Sequence, residues 1–252
     1  MPAPAPAVTF EGVTKRYGDV AAVDDVSLAV APGDFVALVG TSGSGKSTLL
    51  KTINRLVEPS RGRVLIDGRD VGGEPAPLLR RRIGYVFQSI GLFPHWTVAE
   101  NIGVAPRIAA QAPPDVARLL DLVELPAALA SRMPHELSGG QRQRVAIARA
   151  LAPGARLLLL DEALGALDPV TRDGVGRRLA DLHAALALTT ILVTHDMAEA
   201  LLLATRVLVM EQGRIVADAS PAALARGEGG AAAQALVAVP RDQADRLRDL
   251  VR

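Results

Sequence analysis

Gly40-Thr41-Ser42-Gly43-Ser44-Gly45-Lys46-Ser47 fits the spacing G-x-x-x-x-G-K-[ST], in which each residue type has a task in holding phosphate. The glycines let backbone N–H groups curl around a β-phosphate, and a helix beginning there adds unpaired donors and the positive end of its dipole. The Lys46 ammonium has the reach to bridge β- and γ-phosphates; the Ser47 hydroxyl suits a Mg²⁺ ion, with Thr48 a further phosphate contact. A glycine-rich turn that binds nothing is the plain alternative. Context disfavours it, because the apolar residues 35–39 lead into the loop as a buried strand would, and residues 47–56 leave it with helical character.

Leu157-Leu158-Leu159-Leu160-Asp161-Glu162 is an apolar run that ends in two carboxylates. Successive strand side chains point to opposite faces, so the two acids take different tasks at the sheet edge where nucleotides bind. Asp161 is suited to hold Mg²⁺, directly or through water, and Glu162 to reach the water that attacks the γ-phosphorus, as general base or polariser. Strands often end at polar residues, so the pair draws its weight from the loop at 40–47. A third segment, Leu137-Ser138-Gly139-Gly140-Gln141-Arg142-Gln143-Arg144, lies just ahead of a helical stretch. Ser138 and the two glycines offer a hydroxyl and bare N–H groups at a helix N-terminus, a second anion-binding surface, or else simply an N-cap and turn.

Together these segments resemble the ATP-binding-cassette ATPases, whose LSGGQ signature is far more specific than the phosphate loop, and the resemblance covers nearly the whole chain. It implies an α/β fold with a P-loop NTPase core, an antiparallel β subdomain and a helical subdomain, with ATP and Mg²⁺ as cofactors. It also implies that Tyr17 stacks on adenine, that Gln88 is the lid glutamine that senses Mg²⁺, and that Gln141 belongs to the signature with Ser138, Gly139 and Gly140. Ala166-Leu167-Asp168 matches the loop facing a second subunit, and His195 the switch histidine at the γ-phosphate. Each of the single residues has a bland reading as well: Tyr17 as a strand-edge aromatic, Gln88 as a strand cap, His195 as the neighbour of a helix N-cap. In the family two cassettes pack head to tail, so a second subunit, here in a homodimer, is expected to complete each site. One position departs from the pattern. Ala163 stands where the family usually has proline, which loosens the backbone leaving the strand and is expected to alter rate while nucleotide binding survives.

These residues need elements to hold them. Residues 8–17 and 26–30 mix apolar, β-branched and polar types as two antiparallel strands. A hairpin follows around Asp67-Gly68, then a short Arg-rich helix at 78–82 and a buried strand at 83–87. Residues 97–152 are expected to be almost entirely helical, broken at Pro106, Pro113, Pro114, Pro126 and Pro134. Strands resume at 157–160 and 190–194 around a helix at 170–186, and residues 207–210 and 214–217 form a hairpin. The Ala/Gly stretch 227–233 reads as a flexible linker before an amphipathic helix at 241–251, which either covers the core or makes a dimer contact. The division expected is a core with antiparallel β subdomain at 1–96, a helical subdomain at 97–152, the rest of the core at 153–219 and an extension at 220–252.

Composition sets outer limits. The 252 residues carry 28 Lys+Arg against 27 Asp+Glu, a net charge of +1, which gives no support to a nucleic-acid partner. Aromatic content of 3% argues against a base-stacking surface. The absence of cysteine excludes disulfides, thiolate zinc sites and a cysteine nucleophile. Residues 1–7 alternate Pro and Ala without the charge or apolar core of a secretory signal, and the longest charge-free run, 83–99, holds Gln88, Ser89, Pro94 and His95, which a spanning helix would leave unsatisfied. A cassette of this kind borrows its pore. The stretch from Ile83 to Ile102 resembles bacterial importer ATPases, and Ile90-Gly91-Leu92-Phe93-Pro94 is most similar to those for osmoprotectants such as glycine betaine, choline and other quaternary amines. The resemblance implies a peripheral protein on the cytoplasmic face of the membrane, bound to an integral permease that an extracytoplasmic binding protein supplies. Phe93 and Trp96 then offer anchors to the permease, or pack in the core. Another small solute such as a polar amino acid, or a role outside transport, remains the alternative.

Overall fold

The computed structural model describes residues 7–250 and divides them into two units, one formed by the chain up to Gly72 and from Leu192 onward, the other by Gly73–Ile191. The first unit opens with β1 (Val8–Tyr17) and β2 (Val20–Val30), antiparallel through a turn at Gly18-Asp19. β2 begins earlier than the apolar residues 26–30 suggest. Asp24 and Asp25 obscure its first half in the sequence; in the structure Val23 and Val26 point inward while Asp24 pairs with Arg214 at 2.6 Å. β3 (Phe35–Val39) is buried along its length, and α1 (Lys46–Ile53) follows. β4 (Arg61–Ile66) and β5 (Arg69–Asp70) make the expected hairpin through Asp67-Gly68, both at positive φ, and complete an antiparallel sheet of order β2-β1-β4-β5.

The second unit carries α2 (Ala76–Arg80), β6 (Ile83–Val86), α3 (Val98–Ile108), α4 (Val116–Leu122), α5 (Gly139–Leu151), β7 (Leu157–Asp161), α6 (Pro169–Ala185) and the first residues of β8 (Thr189–Val193). β7 lies between β8 and β6 and runs parallel to β6, with Ile83 opposite Leu157 and Val86 opposite Leu160. A parallel strand covered on both faces needs a continuous apolar run, which the four leucines supply. Between 97 and 152 helix is less continuous than expected. Thr97 and Glu100 close α3 with a capping box, but Pro106 sits inside its last turn instead of breaking it. Pro113 and Pro114 lie in the non-helical 109–115, and Pro126 and Pro134 introduce 3₁₀ turns at Ala127–Ser131 and Pro134–Glu136.

The chain returns to the first unit with α7 (Met197–Leu203), β9 (Arg206–Glu211), β10 (Arg214–Ala219), α8 (Pro221–Ala225) and α9 (Gly230–Asp249). β9 lies between β10 and β3, antiparallel to the former and parallel to the latter. Over this layer Met197 and Ala200 of α7, Leu224 of α8, and Ala233 and Val237 of α9 meet Ala37, Val39, Val207 and Val209. The C-terminal expectation is corrected here: α9 begins at Gly230, so much of the supposed linker is its first turn, and Pro240 lies within it. Alanine is a strong helix former, and its small side chain lets the helix lie close on β9 and β10. The last residues of the expected helix, from Val251, lie outside the described residues, as do residues 1–6.

A packed helix and a linker respond differently to bulk at Ala233, which is fully buried. Ala233→Leu is expected to lose about 1–3 kcal/mol by overpacking. Urea denaturation checks this; an unchanged midpoint would match a linker.

Candidate active site

In the first unit the loop at 40–47 leaves the buried end of β3 with Gly40, Gly43 and Gly45 all at positive φ. A Cβ on Gly40 would strike the Met210 carbonyl, and one on Gly45 the Ala22 carbonyl, so two of the motif's glycines are fixed by close backbone approach as well as by conformation. Gly45 is the N-cap of α1 and supplies no side chain to the helix's first N–H groups. Helix-terminal donors of this kind suit an anion. Lys46 is buried, its Nζ donating to the carbonyls of Thr41 at 2.7 Å and Gly40 at 2.9 Å and to Ser44 Oγ at 3.3 Å. The ammonium is thus held against the loop backbone, while Thr41, Ser42 and Gly43 are exposed and Ser47 and Thr48 half-buried. Tyr17, 53% exposed at the end of β1, has the Lys15 ammonium 5.1 Å from its ring centroid. His195 is exposed and directly precedes Asp196, whose carboxylate caps α7 through the N–H groups of Ala198 and Glu199.

In the second unit Asp161 ends β7 only 4% exposed, and Tyr85 of β6 donates its hydroxyl to Asp161 Oδ2 at 2.9 Å. Burial and the neighbouring Asp161 charge push the Tyr85 pKa well above that of a free phenol. Glu162 leaves the strand at φ 48, and Gln88, just beyond β6, donates from Nε2 to Glu162 Oε2 at 2.8 Å. The left-handed turn at Glu162 fits the residue that follows: a proline would push its predecessor toward extended backbone, whereas Ala163 leaves it free.

Ser138 is the N-cap of α5, its hydroxyl accepting from Gln141 N at 3.2 Å while Gln141 Oε1 accepts from Ser138 N at 2.9 Å. Ser138 thus caps the helix, and Gln141 is turned back on the cap. A Cβ on Gly140 would collide with Thr171 Cγ2 of α6. Asp168 caps α6 through Thr171 N at 3.0 Å, and its hydrogen bonds to Thr171 hold its pKa below the ordinary aspartate value. Arg172 steadies the loop between, donating to the carbonyls of Leu164, Gly165 and Leu167.

Three positioning groups escaped the reading of the sequence. Tyr85 is one. Arg149, on α5, is a second: its guanidinium is largely buried, its pKa lowered by burial, and it donates to the carbonyls of Gly91 at 2.6 Å and Ile90 at 2.9 Å, bracing the loop after Gln88. Asn101, fully buried, donates to the carbonyls of Phe93, Trp96 and Thr97 and accepts from Phe93 N. It holds Phe93 on the surface, beside a half-buried Trp96 whose ring lies 4.4 Å from it between centroids. An Asn and an Arg in apolar helical stretches were the available signals.

The donors suit Mg²⁺, a hard ion usually held by one or two carboxylates together with substrate phosphates. Among the described residues no cluster of three His, Cys, Asp or Glu could hold a metal by itself.

A phosphate loop on α1 and paired carboxylates at the end of a buried parallel strand define a nucleotide hydrolase of the phosphate-loop class. The ABC transporter family model matches residues 23–165. The glycine betaine uptake system ATP-binding protein YehX of Escherichia coli is 46% identical over 85% of this chain and 71% of its own length. The Fe(3+) ions import ATP-binding protein FbpC of Pseudomonas fluorescens is 48% identical over 85% of this chain and 62% of its own. The chain spans about seven-tenths of YehX and just over half of the carnitine transport ATP-binding protein OpuCA of Listeria monocytogenes. The ATP-binding cassette MJ0796, solved as a dimer in a post-hydrolysis state with ADP and Pi, superposes with a TM-score of 0.76 at 32% identity, covering 85% of this chain and 98% of that one. The chain belongs to the ABC transporter family and is an ATP-binding cassette ATPase. No helix among the described residues is long and apolar enough to cross a membrane.

Two outcomes follow from the signature's packing. Gly140→Ala is expected to cost about 1–3 kcal/mol through the collision with Thr171, and Thr171→Ser, which removes only the offending methyl, is expected to restore most of it in the double variant, as read by urea denaturation. Because folding lowers the Asp168 pKa, its cap contributes stability above the unfolded-state value and loses it as pH falls through the lower folded value. The gap in midpoint between wild type and Asp168→Ala should be full at pH 7 and narrow below about pH 4.

Proposed function

We propose that this cassette is the ATP-hydrolysing subunit of a bacterial importer for an osmoprotectant of the quaternary-amine type. The observation that carries the reading is the hydrogen bond from the Gln88 amide to the Glu162 carboxylate, because it joins the group suited to activating water to the first residue of the segment that would meet a permease. Phe93, exposed and held by Asn101, supports the same surface. The cargo assignment rests on the Ile90-Gly91-Leu92-Phe93-Pro94 stretch and on the likeness to YehX.

In this reading Tyr17 stacks on adenine, and Gly40, Thr41, Ser42, Gly43, Ser44, Gly45, Lys46 and Thr48 hold the phosphates. Ser47, Asp161 and Gln88 hold Mg²⁺, which when bound offsets the negative charge of the phosphate oxygens. Glu162 takes or polarises the proton of the attacking water, and His195 steadies the γ-phosphate. Ser138, Gly139, Gly140 and Gln141 of one subunit, with the loop at Asp168, face the nucleotide of a second copy. ATP then closes the pair, and hydrolysis with phosphate release reopens it. The membrane partner is an integral permease, which places the cassette on the cytoplasmic face, with an extracytoplasmic binding protein acting indirectly. Residues 97–152 serve as the helical subdomain that moves with the signature. The likeness to FbpC favours one rival, the same motor with a different solute.

Mg²⁺-dependent ATP turnover by the purified chain, with Glu162→Gln slower by at least about 100-fold at unchanged ATP affinity, is the expected result. Gel filtration of Glu162→Gln should show a dimer with ATP and a monomer without. A wild-type chain that binds ATP and releases no more phosphate than Glu162→Gln would overturn the catalytic reading. Uptake of radiolabelled glycine betaine or choline by cells expressing the cassette with its permease decides the cargo, and uptake of iron or an amino acid instead would favour the rival.

A further inference from the structure

Asp161 is a nearly fully buried carboxylate, and such a group needs donors whether or not a cation is present. Tyr85 supplies one at 2.9 Å. Strand register explains why it can. Tyr85 lies opposite Leu159, and Asp161 is two residues further along the same face of β7, a diagonal neighbour that a long aromatic side chain spans and a short one does not. Phe87, just beyond the end of β6, sets its ring against Tyr85 edge to face with centroids 4.7 Å apart, which restrains the phenol.

We propose that Tyr85 is the positioning residue of the metal site: its hydroxyl fixes the orientation of the Asp161 carboxylate that receives the Mg²⁺ of the bound nucleotide. This rests on the reading of Asp161 as a ligand of that ion. An aspartate turns freely about its last torsion unless one oxygen is held, and donors behind a ligating carboxylate typically account for about 10–100-fold in metal affinity. The effect is selective. Mg²⁺ demands near-ideal octahedral geometry at short distance, whereas Ca²⁺ accepts longer and less regular arrangements, so a loosened carboxylate penalises Mg²⁺ more. A purely structural role for Tyr85 would weaken both ions alike or neither.

The test uses the full chain with a non-hydrolysable ATP analogue. Mg²⁺ and Ca²⁺ affinities are read by competition against Mn²⁺ followed by electron paramagnetic resonance, and analogue binding in EDTA by displacement of a fluorescent nucleotide. Tyr85→Phe, which removes only the hydroxyl, should weaken Mg²⁺ about 10-fold, shift Ca²⁺ by much less, and leave metal-free analogue binding unchanged. Asp161→Asn should weaken Mg²⁺ further, and the double variant should be no worse than Asp161→Asn alone. Wild-type Mg²⁺ affinity in Tyr85→Phe beside a weakened Asp161→Asn would overturn the role of Tyr85 and leave the metal site standing. Tighter Mg²⁺ binding in Tyr85→Phe would also overturn it, since the hydroxyl would then be a competitor of the ion. Wild-type Mg²⁺ affinity in Asp161→Asn would remove the metal reading itself, and the proposal with it.

Discussion

A β-strand covered on both faces has no polar side, and much of this protein's chemistry is arranged by that constraint. β3 and β7 are apolar throughout until their carboxyl ends, where the chain first meets room for polar groups. There β3 gives way to the glycine loop and β7 to Asp161 and Glu162. A charge one residue earlier in β7 would be buried without a partner. A carboxylate several residues later would ride on the loop of 162–168, with less to fix it. Asp161 sits at the boundary, buried like the strand before it yet within reach of a neighbouring strand's hydroxyl.

The same economy governs the loops. A loop that leaves a strand or joins two elements needs its backbone held, and here it is held by its own carbonyls. Lys46 takes up those of Gly40 and Thr41, Arg172 those of Leu164, Gly165 and Leu167, and Arg149 those of Ile90 and Gly91. Each cation thereby fixes a loop through its carbonyls.

Periodicity and spacing made the strands at 35–39 and 157–160, the hairpin of β9 and β10 and the phosphate loop legible in the sequence, because each has a local signature: a short apolar run, a Gln-Gly turn, glycines at fixed offsets. α9 was not legible. The run of Gly and Ala from 227 to 233 has the composition of a linker and also that of a helix lying close on a sheet, and only the layer of Val207, Val209 and Leu224 beneath it decides between them. Tyr85 was hidden for a different reason. Its partner is set by the register of β6 on β7, a property of two strands far apart in the chain, and nothing in the residues around Tyr85 specifies it.

Ala163 shows how a departure from a family pattern can be read physically. Proline after Glu162 would narrow the glutamate's backbone toward extended conformations; alanine admits the left-handed one that Glu162 adopts. In that conformation the side chain meets the Gln88 amide. The backbone freedom gained at 163 therefore bears on how the Glu162 carboxylate is aimed at Gln88. Under the proposed function, the effect expected of Ala163 is on hydrolysis rate, with nucleotide binding kept.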